Sequence, residues 1–184
     1  MSGGGRSRTP LPGVLLLLGA AMVAVGDGCV AEVAPSAPAV DRQLRLPVLA
    51  GFDRVADAMQ PSCGTLDCHG QVTRNLRLFG ERGLRLDAQD TSGEGATTLA
   101  EYEADYWAIV TLEPEILSAV LRDGGRGPER LMLVRKGRGA TRHKGGALMR
   151  PNGPLDQCVL DWLKGNILED QCKTASRISA DMTP

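Results

Sequence analysis

Aromatic side chains are scarce in this 184-residue chain, with two Trp, two Tyr and two Phe making up 3% of it. A core so poor in large groups buries little area per residue, so a bound cofactor or a covalent crosslink would help to complete it. An excess of charge of either sign is also missing. Lys and Arg number 21 against 22 Asp and Glu, a net charge of −1, which excludes the strong positive field of a nucleic-acid binder. Histidine occurs only at 69 and 143, and no Ser-His-Asp arrangement, phosphate-binding loop or pair of catalytic carboxylates stands out. The common hydrolytic and nucleotide chemistries therefore have no residues to run on. No internal repeat is apparent. The longest apolar run, Val14–Val25, has 12 residues, too few to span a bilayer.

That short run has company. Arg6 and Arg8 precede it without any acidic residue, and Gly26-Asp27-Gly28 ends it, the layout of an export signal over residues 1–28. Cys29 follows directly and resembles the acylation site of a bacterial lipoprotein, although Gly26 and Asp27 depart from the usual residues there. Cleavage nearby by an ordinary signal peptidase is the alternative. Lipid on Cys29 would hold the protein at a membrane, each buried CH₂ contributing about 0.8 kcal/mol. The expected location is exported, in the periplasm or attached to the outer membrane. Residues 29–50, rich in Ala, Pro and Val, read as a flexible tether. One domain is expected over 51–172, and a disordered tail over 173–184.

Within the domain the apolar pattern is mainly helical. Phe52, Val55, Ala56 and Met59 fall at i, i+3, i+4 and i+7, predicting a helix that Pro61 ends. Around Gly80 and Gly83, Leu76–Phe79 and Leu84–Asp87 alternate apolar and polar, predicting a short β-hairpin or paired loops. Residues 87–96 read as a surface loop. Thr97 or Thr98 can cap a helix carrying Leu99, Tyr102, Tyr106, Ile109 and Val110. Pro114 opens a helix closed by Gly124-Gly125, Pro128 a shorter one through Leu131, Met132 and Val134. Pro154 opens the last clear helix, where Leu155, Cys158, Val159, Trp162 and Leu163 keep the stripe until Gly165. Tyr102, Tyr106, Trp107 and Trp162 are expected in the core, with Trp162 against any cofactor.

With Cys29 set aside, four cysteines remain in two pairs. The turn at Gly165-Asn166 lets residues 167–172 fold back on the last helix, which predicts a Cys158–Cys172 disulfide. An oxidising compartment favours it. The other pair lies in PSCGTLDCHG, residues 61–70. Covalent haem attachment needs two thiols to add to the porphyrin vinyl groups, and a His directly after the second thiol to reach the iron. The usual spacing is two residues and here it is four. Gly64 permits the bulge this requires, and Gly70 leaves room beside the ring. A Cys63–Cys68 disulfide and a Cys₂His₂ zinc site using Cys63, Cys68, His69 and His143 are the rival readings.

Several features together resemble the c-type cytochrome family, nearest the cytochrome-c-like domains named after the Planctomycetes. They are Cys68-His69-Gly70, a helix ending just before it, and the pattern Leu131–Lys136, His143–Gly146, Leu160–Gly165. The resemblance covers roughly 52–166. It implies a small helical domain with haem c, an iron cofactor, on Cys63 and Cys68, and His69 as proximal ligand. His143 stands 19 residues before Trp162, close to where the family's distal Met precedes its Trp, and so becomes the distal ligand. Met149 is the alternative and Met132 a third. The implied function is a mono-haem single-electron carrier in the cell envelope, not an enzyme, with a redox protein as partner. The basic run Arg135–Lys144 reads as a solvated loop that could neutralise haem propionates or dock an acidic redox partner. The alternative is a non-haem envelope lipoprotein, stabilised by disulfide or zinc, that binds a partner.

Overall fold

Proline and glycine punctuation sets most of the helix boundaries. A computed structural model describes residues 43–181, with side chains as far as 178; the export signal, Cys29 and residues 30–42 of the tether lie outside the described residues. Six helices follow in order: α1 (Phe52–Cys63), α2 (Leu99–Val110), α3 (Pro114–Arg122), α4 (Met132–Gly137), α5 (Pro154–Leu163) and α6 (Glu169–Asp181). A 3₁₀ turn, Pro128–Arg130, leads into α4. Pro114 and Pro154 occupy first turns, where the missing N–H has no intrahelical partner to lose. Thr98 caps α2 in a reciprocal capping box with Glu101. None of these helices is long and apolar enough to cross a membrane.

Pro61 does not end α1 but sits inside its last turn. The ring removes the N–H that would bond to the carbonyl of Asp57, and the Ser176 hydroxyl on α6 donates to that carbonyl at 3.3 Å. A tertiary contact thus satisfies what proline leaves open. α6 itself runs to Asp181, so the expected tail over 173–184 is helical for most of its length. It packs along α1 and α5, burying Cys172 and Ala175, and the Cys158–Cys172 disulfide ties it to α5 across a Cα separation of 4.9 Å.

The core gathers where α1, α2 and α5 meet. Phe52 lies 5.5 Å from Tyr106 and 5.0 Å from Trp162 between ring centroids. The two polar atoms of this cluster reach back to the chain before α1: Tyr106 donates to the carbonyl of Pro47 at 2.7 Å, and Trp162 Nε1 to that of Val48 at 2.9 Å. Arg45 N adds a bond to Ser118 Oγ at 2.8 Å. Residues 43–50, read as tether from sequence, therefore lie against the helices. Two further expectations change. Leu99 and Trp107 are exposed, and the buried face of α2 carries Glu101 and Asp105 beside Tyr106, Ile109 and Val110. The hairpin reduces to one isolated bridge between Phe79 and Leu84, with no strand among the described residues.

Candidate functional site

The Cys63–Gly70 loop is built by its own backbone. Cys63 is the last residue of α1, and Gly64 N donates back to Gln60 O at 3.0 Å. Thr65 O accepts from both Cys68 N (2.9 Å) and Gly70 N (3.0 Å), and Cys63 O accepts from His69 N at 2.8 Å. The four residues between the cysteines thus form a closed turn. Gly70 owes its lack of a side chain to backbone and not to a ring edge: a Cβ there would strike Gly64 O and stand 2.8 Å from the Cα of Gly83. The crossing of 64, 70 and 83 fixes the loop against the next segment, and Leu78 N donates to His69 O at 2.9 Å.

Cys63 and Cys68 are both free and half-buried. Burial, with the Cys68 thiol nearby, pushes the Cys63 thiol up to about 12, so it stays protonated at neutral pH. His69 Nδ1 lies 3.0 Å from the carbonyl of Leu76. A carbonyl only accepts, so Nδ1 carries the proton and Nε2 keeps its lone pair. Metal-bound histidines characteristically have such a carbonyl partner on the other nitrogen. Burial lowers the pKa of His69 against the pull of that bond, and the charges of His143, Arg74 and Lys136 lower it further. His69 is thus held neutral, the form that binds metal.

His143 is the group that faces it. The two rings stand 5.9 Å apart between centroids, with planes 19° apart, and Nδ1 of His143 is buried with no hydrogen-bond partner. Two free thiols, one imidazole with Nε2 unprotonated and a second imidazole beside it are the donor types a covalently attached haem would need. Met149 is buried, with its sulphur where a side chain at Gly137 would stand. Met132 is half-buried, its sulphur 3.9 Å from a guanidinium nitrogen of Arg135. Among the described residues no three of His, Cys, Asp or Glu converge on a single ion.

The basic run is only partly solvated. Lys144 reaches Asp67 O at 3.4 Å, which brings its loop onto the cysteine turn, and Arg74 Nε donates to Cys68 O at 2.9 Å. Arg138 makes a two-pronged ion pair with buried Asp156 at 2.7 and 3.0 Å, and Arg135 Nε is buried without a partner.

The sequence pattern did not mark the buried polar residues that tie α1 and α2 to the segment after the cysteine turn. Asp105 accepts from Phe79 N at 2.6 Å and from Gln60 Nε2 at 3.1 Å, while Gln60 Nε2 also donates to Phe79 O. Burial pushes the Asp105 carboxyl up to about 7. Burial acts on Glu101 in the same direction, but Arg85 at 2.8 Å and donors from Thr98 and Leu86 hold it lowered. Of these, only Glu101 left a signal, the Thr-x-x-Glu capping box. The chain matches no protein-family model, no curated protein and no solved structure.

Proposed function

We propose that the chain is a mono-haem c-type cytochrome domain that carries single electrons in the cell envelope, held at a membrane surface through its N-terminal segment and lipid on Cys29. The observation that carries this reading is the neighbouring pair His69–His143, with ring centroids 5.9 Å apart, His69 following directly in sequence on Cys68, one of two free thiols. Haem c bound there supplies a one-electron iron couple. The chain's residues do the rest. Cys63 and Cys68 would provide the thioether sulphurs, Leu76 O would hold the ring of His69, and His143 would be the second imidazole available to the iron. With His69 and His143 both committed to the iron, no position would be left for a substrate, which supports a carrier over an enzyme. Arg74, Lys136 and Arg135, whose Nε has no partner, would supply positive charge for propionates and for an acidic redox partner.

The test is expression with the export segment in a host able to attach haem, followed by intact mass and a reduced-minus-oxidised spectrum. A covalent haem mass is expected. Its absence overturns the reading in favour of the disulfide-stabilised or zinc-stabilised envelope lipoprotein. For the distal ligand, His143→Ala should convert low-spin iron to high-spin while Met149→Ala should not; the reverse result would reassign the ligand to Met149.

A further inference from the structure

Seven of the thirteen exposed large apolar side chains among the described residues fall in two short places. Leu44, Leu46, Val48 and Leu49 belong to the segment before α1, and Trp107, Leu112 and Ile116 to α2, α3 and their connection. Between residues 43 and 50 only Pro47 is buried, and Leu44, Leu46, Val48 and Leu49 are all exposed. This inverts the ordinary pattern, in which apolar residues of such a segment pack inward.

The two places adjoin. Tyr106, the neighbour of Trp107 with its ring 5.2 Å away, donates to Pro47 O. Ser118, two residues after Ile116, accepts from Arg45 N. Trp162 on α5 pins Val48 from below. Apolar exposure concentrated this way marks an interaction surface, whereas scattered single residues do not.

We propose that this face rests on a lipid bilayer. The inference builds on the membrane tether proposed above. The chain outside the described residues supplies the apolar run Val14–Val25 and Cys29, and it joins the fold at Gln43, the residue before Leu44. Cys29 stands only 15 residues before Leu44 in sequence, so lipid on it would bring to a membrane first the surface at which the described chain begins. Trp is the side chain favoured at the membrane–water boundary, where an apolar ring and a polar N–H suit the two sides.

The test places a photoreactive benzoylphenylalanine at Leu46, at Trp107 or, as control, at the exposed Val72 of the cysteine loop. The full chain is bound to vesicles of phosphatidylethanolamine and phosphatidylglycerol and illuminated. Lipid adducts at 46 and 107, and none at 72, are expected. Bound protein without adducts at 46 and 107, or with equal adducts at all three, overturns the proposal while leaving the tether reading intact. A crosslink to a second copy or to residues 14–25 also overturns it, assigning the face to that occupant. A chain that does not bind vesicles defeats both readings. Haem enters none of these readouts, so a failed haem assignment stays distinguishable.

Discussion

The two cysteine pairs of this fold are held by opposite means. Cys158 and Cys172 stand on two packed helices, α5 and α6, each thiol fully buried, and a covalent bond joins them. Cys63 and Cys68 stand in a turn whose shape comes from backbone hydrogen bonds, crossed glycines and buried polar side chains, and both remain free. A crosslink stabilises the first region by restricting the unfolded chain. In the second region the backbone already supplies the geometry, which leaves the thiols available for chemistry.

Removing the free pair should matter most. Cys63→Ser combined with Cys68→Ser should abolish covalent haem completely, read as loss of the haem mass from the intact protein. Cys158→Ala with Cys172→Ala should leave that mass in place. Haem retained by the first variant would show that the turn is not an attachment site.

Next in size is pH. Asp105 faces Phe79 N–H, the amide of Gln60 and, one helical turn away, Glu101. Its folded pKa is raised, to about 7 from an ordinary 3.8, so the folded state holds a proton that the unfolded state releases. The stability this contributes is present below pH 4 and lost as pH rises to 7. Relative to Asp105→Asn, the wild type should lose on the order of 4 kcal/mol across that window and little above it. Urea melts of both proteins at stepped pH check this. Parallel curves would show that Asp105 does not carry the pH dependence.

The disulfide comes third. Its loop closes 15 residues, since Cys158 and Cys172 are 14 apart, for which chain entropy gives about 3 kcal/mol. Cys158→Ala with Cys172→Ala should lower the urea midpoint accordingly. Added reductant should bring the wild type to the same midpoint without changing the response of the cysteine turn to pH.

Much of the helical half was legible because its signals are local. Pro114, Pro154, the Thr98 cap and the glycines after α3 and α5 each act within one turn. What failed depended on distant partners. Pro61 remains helical because Ser176, more than a hundred residues on, takes over a carbonyl. α6 buries little beyond Cys172 and Ala175, too weak a stripe to read as a helix. Residues 43–50 carry no helical period, yet three side chains hold their backbone. At the site, His69 and His143 stood out by rarity and spacing. The Leu76 carbonyl that sets the tautomer of His69 leaves no trace in side-chain identity.

The smallest effect tests whether the cysteine turn really is fixed by backbone. In Gly70→Ala the added methyl would meet Gly64 O and the Cα of Gly83, neither of which can rotate away as a flexible side chain would. Overpacking of this kind typically costs about 1–3 kcal/mol, and an unfolding midpoint lowered to match is expected. The site should register it separately. Displacing residue 70 disturbs its bond to Thr65 O and the neighbouring Cys63 O–His69 N bond, so the ring of His69 should shift against Leu76 O. In haem-loaded protein the variant should therefore move the low-spin signature as well as the midpoint. A midpoint shift with an unmoved spectrum would mean that the glycine crossing supports the fold without positioning the histidine.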